Sequence, residues 1–408
     1  METEIQRQTV ECCIVGGGPA GMMAGFLLAR QGVEVLVLEK HADFLRDFRG
    51  DTVHPSTIEV LDELGLSEEF LRIPHTRMTE VAMETPTGRV TFADFTKASR
   101  RFGYVAFMPQ WDFLNFLAAK AGELPSFRLS RSTEATGLLW DGAQVSGVQV
   151  QSPEGKMEVH ARLVLAADGR NSVLRQDAGL KVAAKSPPVD VLWFRLSRRP
   201  DESVPFFIKD GDRVAVCINR GEYWQVAWVI PHLGFEAVKE RGLEVFRCEV
   251  AESLPPLADR LGEVDSWDDL KLLMVRIDRL EQWYRPGLLF IGDAAHAMSP
   301  AGGVGINLAI QDGVAAANLL GPAFRSGGPT VEDLRRVQRR REVPARAVQA
   351  FQARILRDLY PRPDAREMKP QADATALPVR LVSRVPPLRH LIGRFIGRGI
   401  RPEHPLAS

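Results

Sequence analysis

The chain has 408 residues, with 52 Lys and Arg against 52 Asp and Glu and a hydrophobic fraction of 45%. This length suits about two domains, and the apolar content excludes wholesale disorder. Zero formal net charge argues against a nucleic-acid-binding protein, although the segment from Arg335 to Arg401 is basic, with 17 Lys and Arg against 5 Asp and Glu.

The cysteines and the apolar runs bear on the cellular compartment. Cys12, Cys13, Cys217 and Cys248 show no CxxC pair and no metal-ligand spacing. The opening residues METEIQRQTV lack the basic and apolar regions of a signal peptide, and no apolar run approaches the ~18 residues of a membrane span. We therefore expect a cytoplasmic protein without a metal site.

The N-terminal segment shows a complete β-α-β pattern. Glu11–Val15 is predicted as a buried strand, and a glycine-rich turn follows it. Met22–Gln31 is predicted as an apolar helix that Gly32 ends, and Val33–Leu38 as the next strand. A dinucleotide-binding fingerprint needs this structural context.

Periodicity and turn residues predict further elements along the chain. These elements are a helix over Ser56–Leu64 capped by Ser56, a hairpin of Val81–Glu84 and Arg89–Phe92, a helix over Trp111–Ala121, strands over Val145–Gln151, Met157–His160, Ala161–Ala167 and Gly287–Gly292, and a helix over about Gly305–Leu319. Residues 189–231 alternate apolar and polar positions in short runs, which is typical of an antiparallel sheet and predicts a second domain.

The turn GGGPAG carries the first chemical signal. It satisfies GxGxxG at Gly16, Gly18 and Gly21. Gly16 permits the tight turn, Gly18 lets the backbone approach a pyrophosphate, and Gly21 and Gly25 let the helix pack against the sheet. The helix N-terminus offers amides to phosphates, and Glu39 ends the second strand where a ribose hydroxyl would be accepted.

Two later segments also place a turn after a buried strand. In LVLAADGRNSVLR the strand ends at Asp168, and Ser172 is predicted to cap a short helix. By itself this segment also suits an ordinary strand, turn and helix. In GDAAHAMSPAGGVGIN the strand ends at Asp293, and a Pro/Gly-rich loop leads to a helix near Gly305. The N-terminus of that helix would face an electron-rich ligand.

These three segments, in this order, resemble the single-component FAD-dependent aromatic hydroxylases of the para-hydroxybenzoate hydroxylase and ubiquinone-biosynthesis hydroxylase type. The resemblance covers about residues 10–65, 105–180 and 270–320. It implies an α/β fold: a Rossmann-like FAD-binding domain, built as a parallel sheet with helices, carries an inserted antiparallel-sheet substrate domain and a C-terminal helical tail.

The resemblance also implies how the chain is divided. The expected FAD-binding domain comprises residues 1–75, 103–180 and 272–345. The expected substrate domain, an antiparallel sheet over the flavin, comprises residues 76–102 and 181–271, and residues 346–408 form a basic helical segment.

The resemblance implies contacts to FAD position by position. The ADP half would be held by Gly16, Gly18, Pro19, Ala20, Gly21, Glu39 and Lys40, the pyrophosphate or adenosine by Arg49, the ribityl chain by Gln110, Gly292 and Asp293, and the isoalloxazine edge by Pro300, Gly303, Gly305, Ile306 and Asn307. Asp168 would lie near both the flavin and the reducing nicotinamide. The amides of Ile306 and Asn307 would face the N1–O2 edge of the flavin.

The chemistry that the resemblance implies is hydroxylation of an aromatic or polyketide-like small molecule with NAD(P)H and O2. A flavin C4a-hydroperoxide would deliver the oxygen, and amides at the N1–O2 edge would stabilise the reduced, anionic flavin as an oxyanion hole does. No catalytic acid or base is required. His296 is expected to be a structural histidine within its loop.

Substrate-side candidates come from one loop and from the predicted sheet. Alternation places Trp193 and Arg195 on one strand face, where they would suit a planar and even anionic substrate. The full set of candidates is His54, Trp193, Arg195, Tyr223 and Trp224, with Phe206 and Phe207 as further aromatic options. Instead of contacting substrate, His54 could bond locally within its loop, and the sheet residues could pack in the core.

Several alternatives stay open at this point. A C=C reductase of the geranylgeranyl-reductase type and a non-catalytic FAD-binding redox protein would keep all three segments. A flavin-dependent halogenase is disfavoured, because Val226 stands where its WxWxIP signature needs the first Trp. The tail over Ala376–Arg401 would pack its apolar stripe on its own domain or lie on an anionic membrane.

Overall fold

The computed structural model describes residues 6–45, 52–85, 88–185, 187–359, 382 and 384–406. Its strands are β1 (Gln6–Val15), β2 (Val35–Leu38), β3 (Thr52–Val53), β4 (Thr76–Met78), β5 (Glu80–Thr85), β6 (Gly88–Asp94), β7 (Val105–Phe107), β8 (Phe127–Ser130), β9 (Glu134–Asp141), β10 (Gln144–Ser152), β11 (Gly155–Ala166), β12 (Val182–Lys185), β13 (Val189–Ser197), β14 (Phe207–Asp210), β15 (Arg213–Asn219), β16 (Tyr223–Pro231), β17 (Lys271–Leu273), β18 (Ile277–Leu280), β19 (Tyr284–Arg285) and β20 (Leu288–Phe290).

The α-helices lie between these strands and at the C-terminal end. They are α1 (Pro19–Arg30), α2 (Pro55–Glu63), α3 (Ser67–Phe70), α4 (Gln110–Gly122), α5 (Val173–Asp177), α6 (Phe235–Arg241), α7 (Leu243–Ser253), α8 (Gly305–Phe324), α9 (Val331–Leu359) and α10 (Pro386–Arg398). Short 3-10 turns cover Pro255–Glu263, Trp267–Asp269, Gly292–Ala294 and Ala301–Gly303. Among the described helices, none combines the length and the apolar character that a membrane span requires.

The first sheet has eight described strands and a parallel centre. Its order is β19-β20-β11-β1-β2-β8, with β10 paired to β11 and β9 paired to β10. The pairs β2/β8, β1/β2, β1/β11 and β11/β20 are parallel, and the others are antiparallel. Val15 lies opposite Leu38 and Ala166, and Ala166 lies opposite Phe290. Leu38 also lies opposite Ser130, so five parallel strands end together at one edge of the sheet.

Helices α1 and α8 cover the sheet beside this edge. Both helices are rich in small residues, and they pack closely where Gly313 faces the backbone of α1. A Cβ built at Gly313 would lie 2.7 Å from the carbonyl oxygen of Ala20. The third turn of α8, at Gly313, therefore packs against the first turns of α1, from Ala20 to Ala24.

The second sheet has seven described strands in the order β17-β13-β16-β15-β14-β5-β6. Its pairs are antiparallel, as predicted, except that β5 and β14 run parallel. One face packs on a core with Phe194, Trp228 and Phe246. The opposite face, which carries Val191 and Trp193, turns toward the first domain. The predicted hairpin near residue 88 is confirmed and joins this sheet.

The C-terminal helices pack on both parts of the fold: α9 packs on α8, and α10 packs on β6 of the second sheet and on α2. The expected division after residue 345 stays a prediction, and α9 spans it from Val331 to Leu359. Helix α10 lies against β6 and α2 at two glycines. A Cβ at Gly393 would overlap the carbonyl oxygen of Asp94, and one at Gly397 would lie 3.2 Å from Pro55. In the described part of the tail, the alternative of packing on its own domain is the one observed.

Two local predictions need correction. Ser56 does not cap α2. His54 occupies the cap position, and the Ser56 hydroxyl donates instead to Asn307 Oδ1 at 2.7 Å. Met157–His160 and Ala161–Ala167 belong to one continuous strand, β11, because β1 pairs with both halves, while β10 pairs with the alternating half and β20 with the apolar half. The prediction that Ser172 caps a helix is confirmed by its bond from the Arg175 amide at 2.9 Å.

Candidate functional site

The glycine-rich turn lies where β1 ends. Gly16 has φ of +106°, and a Cβ there would lie 2.3 Å from the Ala167 carbonyl oxygen, so this position accepts only glycine. A Cβ at Gly21 would lie 2.0 Å from the carbonyl oxygen of Gly16. At Gly18, by contrast, an added Cβ would have no atom of the described residues within 4 Å. With Pro19 and Ala20, the turn lines one end of a large cavity and directs the first amides of α1 toward it.

Glu39 follows β2 and is buried beside this turn. Its carboxylate accepts from the amide of Gly17 at 3.0 Å and from the amide of His41 at 3.0 Å. Each carboxylate oxygen keeps lone-pair capacity for a hydroxyl donor. Lys40 is more exposed, lies 4.0 Å from Glu134 and also lines the cavity. The arrangement suits a ribose at the outer end of the cavity.

Asp168 and Arg170 follow β11. Asp168 Oδ2 accepts from the Leu174 amide at 3.4 Å, whereas Oδ1 is buried without a hydrogen-bond partner in the described residues. Burial raises the pKa of Asp168 above its ordinary value, although hydrogen bonds to the carboxylate oppose this. Arg170 Nη2 donates to Asp293 Oδ2 at 3.2 Å, and its Nη1 is likewise buried without a partner among those residues.

These orphaned atoms test whether the site fits FAD. Buried polar atoms in proteins almost always have partners, so an acceptor on Asp168 and a donor on Arg170 indicate a polar ligand. Both residues line the cavity next to Asp293 and the glycine-rich turn. The ribityl hydroxyls of FAD can donate and accept, and its phosphates suit the amides of α1. The described residues therefore fit the cofactor.

The turn at Gly292 and Asp293 is held from behind by a buried ionic network. Asp312 Oδ2 accepts from the Gly292 amide at 3.0 Å and contacts His296 Nε2 at 2.6 Å. Arg341 donates to Asp312 Oδ1 at 2.9 Å and to Glu403 at 3.1 Å. Burial alone would raise the pKa of Asp312, but the charges of His296 and Arg341 lower it below its usual value. His296 is thus structural, bonded to α8.

The loop before α8 approaches the cavity from the other side. Pro300, Gly303, Gly305 and Ile306 line the cavity, and the first amides of α8 have no carbonyl partner within the helix. The side chain of Asn307 points elsewhere. Its Oδ1 accepts from the hydroxyl groups of α2, at 2.7 Å from Ser56 and 2.9 Å from Thr57. The predicted flavin contact of Asn307 would therefore be made by its backbone amide and not by its side chain.

His54 is buried between two backbone carbonyl groups. Its Nδ1 lies 3.0 Å from the Ile396 oxygen, and its Nε2 lies 3.1 Å from the Gly303 oxygen. The Gly303 oxygen already accepts from Thr52 Oγ1 at 2.8 Å. Burial lowers the pKa of His54 to about 4, although both backbone bonds oppose this. His54 lines the cavity, but it is a poor general base: the neutral ring has one N–H and donates to only one of the two carbonyl groups, and its other nitrogen lies against a carbonyl oxygen.

The cavity that joins these residues has a volume of about 800 Å³. Beyond the polar end its walls are almost entirely apolar. They come from the second sheet and its loops, from the β5–β6 hairpin, from β7 and from the C-terminal helices, where Arg354 of α9 is a charged member. The apolar residues include Val81, Phe92, Phe107, Val191, Trp193, Phe206, Phe207, Val216, Ala227, Val229, Phe351, Ile392 and Ile396. The sheet over residues 189–231 thus roofs the cavity.

The predicted substrate-side residues differ in whether they line the cavity. Trp193 lines the cavity. Arg195 and Tyr223 lie on the same sheet face but outside the cavity lining, with the Arg195 guanidinium 5.0 Å from the Tyr223 ring centroid. Trp224 was misassigned, because it lies on the opposite face and donates to Glu202 at 2.7 Å. Alternation predicts the face of a strand but not how far along it a cavity extends.

The remaining predicted positions can also be placed. Gln110 is the first residue of α4 and lines the cavity. Arg49 lies outside the described residues. Sequence reasoning missed Arg170, which the neighbouring Asp168 could have indicated, and it missed Phe351 and Ile396 on the C-terminal helices, for which no motif existed.

Comparisons with known proteins agree with this geometry. Residues 9–351 match the family model described as FAD binding domain. The chain is 31% identical over 390 residues to 6-methylpretetramide 4-monooxygenase of Streptomyces rimosus, which covers 94% of this chain and 91% of that protein.

Solved structures show the same fold. An anhydrotetracycline hydroxylase from Streptomyces rimosus has a TM-score of 0.76 at 24% identity, covering 98% of this chain and 78% of that chain. A p-nitrophenol 4-monooxygenase from Pseudomonas putida has a TM-score of 0.74 at 21% identity, covering 96% of this chain and 100% of that chain.

Proposed function

The chain belongs to the FAD-binding-domain family and is a FAD-dependent monooxygenase, and on this premise we propose that it hydroxylates a flat, multi-ring aromatic or polyketide-like molecule. The observation that carries the proposal is the cavity of about 800 Å³, whose polar cofactor end continues into an apolar part roofed by Trp193 and its neighbours. We further propose NAD(P)H as the reductant and the cytoplasm as the location.

The chemistry of the apolar part of the cavity supports this substrate class. Ligand sites with mostly apolar walls bury most of the ligand surface. Aromatic side chains such as Trp193, Phe206 and Phe207 favour flat rings through stacked or edge-to-face contacts. The relative named for 6-methylpretetramide, which aligns with most of this chain, supports a substrate of several fused rings.

The protein's part in cofactor binding follows from the placements above. We propose that the amides of α1 bind the pyrophosphate, that Glu39 and Lys40 face the adenosine ribose, and that Gln110 and Asp293 bind the ribityl chain. Bound FAD would supply the two-electron chemistry and the activation of O2. The first amides of α8, at Gly305 and beyond, would stabilise negative charge at the adjoining edge of the ring.

The walls of the cavity have a separate task. Hydroxylation must compete with loss of the activated oxygen to water, so the reacting carbon has to be held in a dry site. Val191, Trp193 and Val229 on the roof, with Phe351 from α9, exclude water over the proposed ring position. These residues orient the substrate through shape, since no charged side chain of the roof lines the cavity in the described residues.

No described group is placed as a strong general base on the substrate. His54 is held by two carbonyl groups with its pKa lowered to about 4. Asp168 has a raised pKa, but it lies at the polar end of the cavity among the cofactor-site residues. We therefore propose that the substrate ring is electron-rich enough, as a phenol is, to react without deprotonation by a side chain. The protein then contributes by orienting the substrate and excluding water.

A substrate screen tests this proposal. Purified FAD-loaded protein would be mixed with NADH or NADPH and with multi-ring phenols, single-ring phenols or geranylgeranyl lipids. We expect the multi-ring phenols to raise NAD(P)H consumption and to give products one oxygen atom heavier. Turnover of the lipids alone, with products two hydrogen atoms heavier, would show a C=C reductase. Turnover of none of these compounds would favour the non-catalytic redox protein.

A further inference from the structure

Helix α9 carries an unusual buried polar face. Gln338, Gln349 and Gln352 are 9%, 3% and 0% exposed, although glutamine is normally a surface residue. Gln349 and Gln352 are three positions apart and therefore share a helix face. That face points at the segment from β18 to α8, which contains the Gly292 turn and the loop over Pro300 and Gly303.

Gln352 bonds to the backbone of this loop with its whole amide group. Its Oε1 accepts from the Ser299 amide at 3.1 Å. Its Nε2 donates to the carbonyl oxygens of Ser299 at 2.8 Å and Ala301 at 2.9 Å. These bonds fall on both sides of Pro300, so they fix the position at which the loop enters the cavity.

Gln349 holds the preceding part of the same segment. Its Nε2 donates to the carbonyl oxygens of Asp278 at 2.8 Å and Ala297 at 3.0 Å, and its Oε1 accepts from Arg279 at 2.9 Å. A buried amide group without these partners would carry the full free-energy cost of desolvation. The bonds therefore strongly favour the one loop position in which they form. The two glutamines therefore attach the backbone from Ala297 to Ala301 to α9.

We propose that Gln352, assisted by Gln349, is a positioning residue that sets the distance between the FAD ring and the substrate cavity. It acts through the backbone of the Pro300 loop and does not itself line the cavity. The inference rests on the proposed placement of the ring beside Pro300 and Gly305. Residues next to it on α9, Phe351 and Ile355, line the cavity, so one helix positions both the loop and part of the substrate wall.

The test compares Gln352→Met with Gln338→Met. Methionine keeps the side-chain length and removes the polar atoms in both variants. Gln338 is a matched control, because it lies on the same helix and bonds to the backbone of Glu281 and Trp283, before the Gly292 turn. The measurements are the FAD dissociation constant of the apoprotein, the visible spectrum and reduction potential of bound FAD, and the thermal midpoint.

We expect Gln352→Met to bind FAD about tenfold more weakly and to shift the spectrum and the reduction potential of the bound cofactor. Gln338→Met should lower the thermal midpoint to a similar extent without those shifts. Unchanged spectrum and potential in Gln352→Met, or equal shifts in both variants, would overturn the positioning role.

Gln352→Glu covers the case in which Gln352→Met does not fold. The carboxylate keeps the acceptor for the Ser299 amide, but it faces two carbonyl oxygens until it is protonated and can donate to one of them. We expect its flavin spectrum to approach that of the parent as the pH falls. A spectrum that keeps the same difference from the parent at every pH would contradict the role assigned to the amide.

Gly305→Ala separates this inference from the proposed ring position. Among the described residues its added methyl has only Met298 Cβ within 4 Å, at 3.9 Å, so the backbone can accept it. A shifted flavin spectrum in Gly305→Ala with none in Gln352→Met would refute the positioning role alone. An unchanged spectrum in both variants would refute the ring position as well.

Discussion

Arg170 Nη2 donates to Asp293 Oδ2 across 3.2 Å and so joins the loop after β11 to the loop after β20. The two residues are 123 positions apart in the sequence. Their side chains are 21% and 30% exposed, so the pair is only partly shielded from water, and its contribution to stability is modest. Its consequence is geometric, because it orients the carboxylate that we propose binds the ribityl chain.

Asp293→Ala should release FAD on dilution. The substitution removes a charge-assisted acceptor for ribityl hydroxyls, and it leaves the partly buried Arg170 without the carboxylate to which it donates. We expect a loss of about 2–3 kcal/mol of FAD binding energy, measured by fluorescence titration of the apoprotein. Asp293→Asn keeps an acceptor and should lose less. If both variants bind FAD as the parent does, the ribityl assignment is wrong.

Glu39→Ala should weaken FAD binding at the other end of the site. The amides of Gly17 and His41 would lose their acceptor, and the ribose hydroxyls would lose theirs. We expect a loss of about 1–3 kcal/mol of binding energy for FAD, by the same titration. FMN lacks the adenosine, so binding of FMN by the apoprotein should change much less, and an equal loss for both would argue against a ribose contact.

Gly305→Pro should impair the cofactor site while the helix remains intact. Proline suits the first position of a helix, but it disfavours the helical backbone of the preceding residue. That residue, Val304, has φ of −82° and ψ of −9°, so the loop must change shape. We expect partial retention of FAD and at least a tenfold slower reduction by NAD(P)H in stopped-flow absorbance. Reduction at the rate of the parent would contradict the assignment of residues 300–307 to the edge of the flavin ring.

His54 should make the free energy of unfolding depend on pH. Its pKa is lowered to about 4 in the folded state, from an ordinary value of 6.5, so the unfolded chain binds the proton first. Stability is therefore retained above about pH 6.5 and falls as the pH drops toward 4, by roughly 3 kcal/mol. In His54→Gln this part of the pH dependence, measured by urea unfolding, should be missing. An unchanged slope would show that His54 titrates normally.

Local patterns predicted the parts of the site that lie within one short segment. The turn at Gly16, the acid at Glu39 and the aspartates that follow β11 and β20 all occur next to a buried strand. Parallel strands end at one edge, so these residues meet there whatever the rest of the fold does. The face of β13 that carries Trp193 followed from alternation alone.

The missed features depend on residues that are distant in the sequence. No periodicity in the sequence indicates the parallel pairing of β5 with β14, the Arg170–Asp293 bond or the amide bonds of Gln352. Helix α9 is rich in arginine and glutamine, which suggests a solvent-exposed helix, whereas the backbone carbonyl groups of the Pro300 loop provide buried partners. The sequence alone does not show that buried glutamines on α9 have these partners, because the partners lie on a segment distant in the sequence.

The measurement that tests the monooxygenase account most directly is turnover of a multi-ring phenol under ¹⁸O₂ in ordinary water. We expect the hydroxylated product to carry one ¹⁸O atom for each NAD(P)H consumed in coupled turnover, and no product to form without oxygen. Trp193→Ala, which opens the roof of the cavity, should consume NAD(P)H while forming less labelled product and more hydrogen peroxide. A product that lacks ¹⁸O, or that forms equally well without oxygen, would contradict the account.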